Sequence, residues 1–272
     1  MLQPNFFNTY FIIPILNVLV VLYKGFLFLK LPGAFGFAII ALTILVRIIL
    51  HPFFKQQLVM SKKMQEMKPQ LDKLSAQYKK EPQRLQQEQL KLYQQAGINP
   101  ASGCLFMIIQ IPVFIGLYNT LSLFLLNGHT GVVINKINSV LYSASLKIGS
   151  IDPWFFGFNL VLSPAKGGQW YYYLIPVLTG VLQYLQVQIS MPNTTAVSHP
   201  QGVDLKTNKH PEDEVKKDDS GDFQKAMNTQ MKYIFPLMIG WFSYTLPVGL
   251  SLYWNIFSLF SIMQYKQLKV KS

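Results

Sequence analysis

Arg47 is the strongest candidate functional residue in this sequence, because it lies alone in a long apolar stretch. Residues 34–54 read AFGFAIIALTILVRIILHPFF. They are long enough to cross a bilayer, since about 20 apolar residues match a hydrocarbon core of roughly 30 Å. An arginine there costs at least about 2.5–3.5 kcal/mol and normally pairs with a carboxylate, yet the predicted spans contain no aspartate or glutamate. The sequence therefore predicts that Arg47 is hydrated or paired with a group outside this chain.

A second interpretation of Arg47 is that its side chain snorkels to the membrane surface. The first cytoplasmic charge, Lys55, follows eight residues later, which is only about 12 Å along a helix. Against this, residues 48–50 are still apolar, and other predicted spans carry uncharged polar side chains at compatible depths. Several helices that offer hydrogen-bonding groups beside one cation indicate a wet groove in the membrane. The candidate groove residues from this reasoning are Gln110, Asn119, Gln186, Asn255 and Ser258.

The composition is typical of an all-α polytopic membrane protein. Half of the 272 residues are hydrophobic, only 13% are charged, and the apolar residues occur in long blocks. The net charge of +12 comes from basic residues beside these blocks, which fits the positive-inside rule better than nucleic-acid binding. This rule places the C-terminus in the cytoplasm. The five predicted spans are residues 34–54, 104–126, 170–189, 231–246 and 250–265.

Nothing in the sequence indicates catalysis or a cofactor. P-loop, GxSxG and HExxH motifs are absent, and the single cysteine, Cys104, excludes a disulfide framework or a cysteine-based metal site. We therefore predict a protein that is not an enzyme and that has no metal site and no cofactor. Because no cleavable signal or transit peptide is evident, we expect a bacterial plasma (inner) membrane protein.

The N-terminal segment, residues 1–33, is predicted to be an external interfacial helix. Gln3, Tyr10, Asn17 and Lys24 recur at every seventh residue, which places them on one helical stripe. A true span is the alternative, but it would place Lys24 and Lys30 at its outer end, against the charge rule. The interfacial position is therefore preferred.

Residues 55–96 are predicted to form an antiparallel helical hairpin in the cytoplasm. They contain nine basic and four acidic residues, unlike the span before them. Apolar residues recur there at alternating spacings of four and three, the pattern of a helix that packs against another helix. Among the other segments, residues 127–169 are expected to be external and mostly irregular, and residues 191–228 a disordered cytoplasmic loop. The predicted hairpin seam is Met60, Met64, Met67, Leu71, Leu74 and Tyr78.

Three separated stretches of this sequence resemble the YidC/Oxa/Alb family of membrane protein insertases. They are TILVRIILHPFFKQQ before the basic hairpin, GINPASGCLFMIIQIPVFIGLYNTL after it, and FPLMIGWFSYTLPVGLSLYWNIFSLFSIMQ near the end. The resemblance implies five core helices around a hydrophilic groove that is open to the cytoplasm and to lipid. By motif, Arg47, Gln186 and Trp254 match groove residues of the family. The large outer domain of Gram-negative members is missing, so a short form is implied.

The resemblance implies an insertase that places nascent membrane proteins in the lipid bilayer without nucleotide hydrolysis. The cytoplasmic hairpin would then receive the substrate, the ribosome or the Sec translocon. Two other functions stay open at this point. The first is a small-solute channel or transporter, although neither an intramembrane carboxylate nor an internal repeat is visible. The second is a membrane scaffold in which Arg47 is only structural.

Overall fold

The computed structural model describes residues 5–78, 81–97, 101–127, 131–190 and 230–270, which are largely helical. The predicted loop 191–228 lies outside the described residues. Short π-helical turns lie at Asn8–Ile12 and Gln230–Ile234. The α-helices are α1 Ile13–Phe28, α2 Ala34–Ile49, α3 His51–Gln77, α4 Pro82–Gln95, α5 Ala101–Asn127, α6 Gly131–Ser139, α7 Leu174–Ser190, α8 Phe235–Thr245 and α9 Val248–Val270.

Each of the five predicted spans overlaps a helix, and the helix at the first one ends earlier than predicted. The helix that carries Arg47 ends at Ile49 rather than at Phe54, and α3 begins at His51. Leu50 between them is not helical, with φ −85° and ψ 2°. Pro52 explains the break, because proline has no N–H to continue the α2 hydrogen bonds and suits the first turn of a new helix.

One helical stretch among the described residues, Asn8–Phe28, has both the length and the composition to cross a membrane. Two shorter stretches, Ala34–Ile49 and Phe114–Leu125, are also apolar. The arrangement of five helices across the bilayer stays a prediction, as does the interfacial position of residues 1–33.

The core lies where α1, α2, α5 and α9 meet. Leu16 and Leu19 of α1, Ala38 of α2, and Leu121 of α5 are fully buried in it. On the other side of α9, α7 and α8 come close enough for their backbones to touch at Gly180 and Gly240. A Cβ at Gly240 would lie 3.6 Å from the Gly180 Cα. Small residues at such a crossing allow the close packing that joins helices in membranes.

The two helices of the predicted hairpin are α3 and α4, which contact each other, and their cytoplasmic position stays a prediction. The first of them, α3, begins at His51, four residues earlier than predicted, because Pro52 lies in its first turn. Arg84 donates to the Glu81 carboxylate at 2.9 Å near the beginning of α4. The Met64 side chain lies outside the described residues, and Met67 is buried. The remaining predicted seam residues are half-buried: Met60, Leu71, Leu74 and Tyr78.

Residues 131–173, here named the cap segment, are more ordered than the predicted irregular region. They contain α6 and a two-stranded antiparallel sheet, β1 Trp154–Phe155 and β2 Phe158–Asn159. The predicted polar stripe of α1 explains part of this order. Asn17 donates to the Val140 carbonyl at 3.2 Å and accepts from the Tyr142 N–H at 2.8 Å, while Lys24 donates to the Ser145 carbonyl.

The cap segment also contacts the beginnings of α2 and α9. The Val248 and Gly249 N–H groups donate to the carbonyls of Leu162 and Leu160, each at 2.9 Å. At α2, the Phe155 ring occupies the space beside Gly36, where a Cβ would lie only 2.2 Å from the Phe155 Cδ2. Gly36 is therefore required for close approach and not for an unusual backbone conformation.

We expect Gly36→Ala to destabilise the protein, because the added methyl group overlaps the Phe155 ring. Overpacking of this kind typically costs about 1–3 kcal/mol. The measurement is the thermal unfolding midpoint of the purified protein in detergent. Gly25→Ala is the matched control, since Gly25 is also helical and has nothing within 4 Å of its Cβ position. Equal unfolding midpoints for the two variants would contradict the close packing of the Phe155 ring against Gly36.

Candidate functional site

Arg47 lies in the last turn of α2 and is 1% exposed. This burial excludes the snorkelling interpretation for the protein as described, because a snorkelling side chain keeps its guanidinium at the surface. The helix ends two residues later at Ile49, so Arg47 lies close to the point where α2 meets α3.

The guanidinium donates hydrogen bonds to one face of α9. Its Nη2 donates to the Phe257 carbonyl at 2.8 Å and to the Ser261 hydroxyl, and its Nη1 donates to the Gln264 Oε1 at 3.3 Å. Positions i, i+4 and i+7 share one face of a helix, so these three acceptors form a single stripe. Gln264 also reaches the first residue of α3, with its Nε2 3.2 Å from His51 Nδ1.

Two aromatic rings complete the contacts of the guanidinium. The Arg47 Cζ lies 4.0 Å from the centroid of the Phe54 ring and 3.7 Å from that of the Phe257 ring. Arginine over an aromatic face gains cation–π attraction, which is strongest when water is excluded. Phe54 comes from α3, so α2, α3 and α9 all contribute to holding this one charge.

All the hydrogen-bond acceptors given for Arg47 are uncharged, and its Nε has no partner among the described residues. Hydroxyl, amide and carbonyl oxygens satisfy the donors without neutralising the charge. A carboxylate would form shorter and stronger bonds with the same fork of N–H groups. The arrangement can therefore bind an anion, provided that the anion displaces acceptors of α9.

Gln186 lies at the level of this site along the helices. Ser258 of α9 donates to Gln183 Oε1 of α7 at 3.3 Å. Because α7 and α9 run in the same direction, three residues further along each helix place Gln186 at the level of Ser261, an Arg47 acceptor. The Gln186 Oε1 is buried and has no partner among the described residues.

The other predicted groove residues do not donate to or accept from Arg47 within the part of the chain that the structure describes. Trp254 stacks on Phe114 of α5, with centroids 6.1 Å apart and planes 6° from parallel. Asn255 is 7% exposed with an unpartnered Oδ1, and Asn119 of α5 is half-buried. The side chain of Gln110 lies outside the described residues.

Sequence reasoning missed Ser261 and Gln264, the side chains that accept from Arg47. The predicted surroundings included Asn255 and Ser258 of the same helix, but Ser258 faces α7. The available signal was the spacing of Phe257, Ser261 and Gln264, which marks one face. It identifies the Arg47 partners only once α2 is known to pack on that face.

Residues 27–271 match the family described as the 60Kd inner membrane protein. The chain belongs to the YidC/Oxa/Alb family. The family resemblance inferred from the three sequence stretches is thus confirmed, and the protein is a membrane protein.

Several curated relatives within this family are similar over most of the chain. The inner membrane ALBINO3-like protein 2 of Chlamydomonas reinhardtii is 34% identical over 93% of this chain and 54% of its own length. The membrane protein insertase YidC of Helicobacter pylori strain J99 is 30% identical over 85% of this chain and 32% of its own. The membrane protein insertase YidC of Oceanobacillus iheyensis is 29% identical over 97% of this chain and 84% of its own length. The chain thus spans about half the length of several relatives.

We expect phenylglyoxal to modify Arg84 much faster than Arg47 in the folded protein, because these are the two arginines of the chain and only Arg84 is exposed. Mass spectrometry of peptides gives the rate at each position. The double variant Ser261→Ala with Gln264→Leu should raise the rate at Arg47. Gln267→Leu, an exposed position one turn along α9, is the control. Equal rates at Arg47 and Arg84 in the unaltered chain would contradict the burial of the guanidinium.

Proposed function

We propose that this protein is a membrane protein insertase, which receives nascent membrane proteins from the cytoplasm and releases their apolar segments into the lipid bilayer. The observation that carries the proposal is the buried Arg47, whose described hydrogen-bond acceptors are all uncharged. The names of the relatives support it, since bacterial members are called membrane protein insertases.

The first step of the proposed mechanism is an exchange of partners at Arg47. A substrate presents a short hydrophilic tail with acidic residues, and one carboxylate replaces Ser261 and Gln264 as the acceptor. Charge-assisted bonds are roughly twice as strong as neutral ones, which favours the exchange once the tail has entered. The displaced Gln264 retains His51 as a partner.

A polar path is required for the tail to reach Arg47. We propose that the hydrophilic groove lies between α2, α7 and α9, with Gln186 and Asn255 along it and Trp254 at its apolar side. Buried oxygens without partners at Gln186 and Asn255 support this position, because buried polar atoms in native proteins are nearly always hydrogen-bonded to protein or water. The groove shortens the distance over which charged groups of the tail leave water.

The energy for the second step comes from the substrate itself. Its apolar segment moves sideways into lipid, where burial contributes about 25 cal/mol per Å² of apolar surface removed from water. A segment of about 20 apolar residues matches the hydrocarbon core, so the transfer is complete when the segment spans it. On this mechanism no nucleotide and no cofactor is needed, and the protein is not an enzyme.

We further propose that the α3–α4 hairpin captures the substrate on the cytoplasmic side and that it meets the ribosome or the Sec translocon there. Its basic character supports this role, because nine of its residues are basic and a nascent chain on a ribosome lies near anionic RNA. The direct connection of α3 to the Arg47 helix brings captured chains to the groove.

Insertion of acidic-tailed substrates should depend on the charge at position 47. In proteoliposomes, Arg47→Ala should lower protease-protected insertion at least about tenfold, since loss of a charged hydrogen-bond partner costs about 1.5–3 kcal/mol. Arg47→Lys should retain much of the activity because it keeps the charge. The same substrate with its acids changed to amides should respond less to either variant. Arg84→Ala is the control, and equal insertion by Arg47→Ala and the unaltered protein would favour a scaffold role instead.

Deletion of residues 60–96 should reduce substrate capture without disturbing the helices around Arg47. Crosslinking to ribosome-bound nascent chains measures capture, and slow phenylglyoxal modification of Arg47 reports that the site is folded. Capture that is undiminished in a deletion variant with a protected Arg47 would contradict the role of the hairpin.

A further inference from the structure

A tight β-hairpin, residues 154–159, lies beside the beginning of α2. Trp154 pairs with Asn159 across the two strands, and Phe155 pairs with Phe158. The Phe155 ring is seated at Gly36, whereas the rings on either side of it face outward: Trp154 is 53% exposed and Phe156 is 74% exposed. One ring therefore fixes the hairpin to the protein, and two rings remain for another contact.

The turn of this hairpin has an unfavourable residue at its tip. Phe156 has φ 47° and Gly157 has φ 84°, so both central residues are left-handed, as in a type I′ turn. Asn-Gly is strongly preferred in this turn, and a bulky residue with positive φ is a genuine outlier. The backbone conformation at position 156 thus disfavours phenylalanine, which indicates that the ring has a function there.

The tip lies alongside the apolar helices and not beyond their ends. The ring centroids of Phe156 and Phe155 lie 6.0 Å and 5.2 Å from that of Phe37, which is in the first turn of α2. Phe37 in turn contacts Phe26 of α1, with centroids 5.8 Å apart. The exposed Phe156 ring therefore contacts the medium that surrounds the apolar helices.

The surface around the tip is apolar except at its border, where Lys30 of the neighbouring turn and Asp152 before the hairpin are exposed. Residues 153–163 contain no charged residue. Where α1 passes into the neighbouring turn, Phe28 is 87% exposed and Leu29 is 63% exposed. Gly33, at the end of this turn, lies close to the hairpin: a Cβ added at Gly33 would be 3.3 Å from the Trp154 carbonyl oxygen. Such a surface fits hydrocarbon chains, and a tryptophan at its edge fits the boundary between chains and headgroups.

We propose that this hairpin binds lipid: the Phe156 ring inserts among the acyl chains of the leaflet next to the start of α2, and Trp154 lies at the headgroup boundary. The charge-free composition favours lipid over a protein partner. Phe37 and Arg47 are ten residues apart on α2, so an anchored tip fixes the guanidinium about 15 Å further along the helix. The hairpin thereby sets the depth of Arg47 in the membrane.

The test uses a fluorescent probe on the full chain in lipid vesicles. Cys104→Ser removes the single cysteine, and Phe156→Cys or Ala165→Cys then provides one site for an NBD label. Ala165 is an exposed residue of the same cap segment and serves as the control. The vesicles contain phosphatidylcholine and phosphatidylglycerol, with or without brominated acyl chains.

The label at position 156 should show blue-shifted emission, quenching by brominated chains and protection from aqueous iodide, relative to position 165. A label at 156 that iodide quenches as strongly as one at 165 would overturn the proposal. The variant Phe156→Asn gives a second measurement in detergent. Its unfolding midpoint should be unchanged or higher, because Asn-Gly suits the turn. A lower midpoint would show that the ring packs within the protein, and would also overturn the proposal.

Discussion

The hydrogen bonds from Arg47 to α9 are the constraint on which the arrangement of the helices depends. Removing a cation from water costs several kcal/mol of desolvation free energy. Uncharged hydrogen-bond acceptors offset this cost only when they are well positioned around the cation. Here the geometry comes from one helical stripe and two aromatic rings on different helices. The helices α2, α3 and α9 must therefore keep their relative positions for the charge to stay satisfied.

Helix α9 can meet this requirement because each of its faces has a different neighbour. Phe257, Ser261 and Gln264 face α2, Trp254 stacks on α5, and Ser258 bonds to α7. Near the opposite end of α9, a buried chain of hydroxyl groups joins three helices. Ser243 of α8 donates to Thr179 of α7 at 3.1 Å and lies 2.8 Å from the Ser251 hydroxyl. Polar contacts at both ends give this apolar helix a defined rotation.

Much of the fold was predictable, because long apolar runs, prolines and charge changes are local signals. Helices overlap all five predicted spans, although their bounds differ, and the α3–α4 hairpin follows from its 4-3 spacing and from Pro82. The end of α2 was placed too late because an apolar run alone does not reveal where Pro52 begins a new helix. The cap segment was underestimated, since its order comes from distant contacts such as Asn17 with Tyr142.

The sequence predicts Arg47 as the centre of the candidate site, but it does not predict the groups that accept hydrogen bonds from it. A lone arginine without acids is visible in the sequence, so Arg47 was identified. Its acceptors depend on which face of α9 packs against α2, and this rotation is a tertiary property. The polarity and depth of Gln186 and Asn255 predict that they line a groove, and this stays a prediction. The carbonyl of Phe257 could not have been identified from residue types, because every residue has one.

The single non-helical residue between α2 and α3 has a mechanical consequence. Leu50 alone separates the helix that carries the arginine from the helix that extends into the hairpin, and His51 beyond it is bonded to Gln264. A joint of one residue has only two torsion angles with which to absorb motion. A rotation of α3 about Leu50 therefore also displaces His51 and Phe54, which links the position of the hairpin to the contacts of the guanidinium.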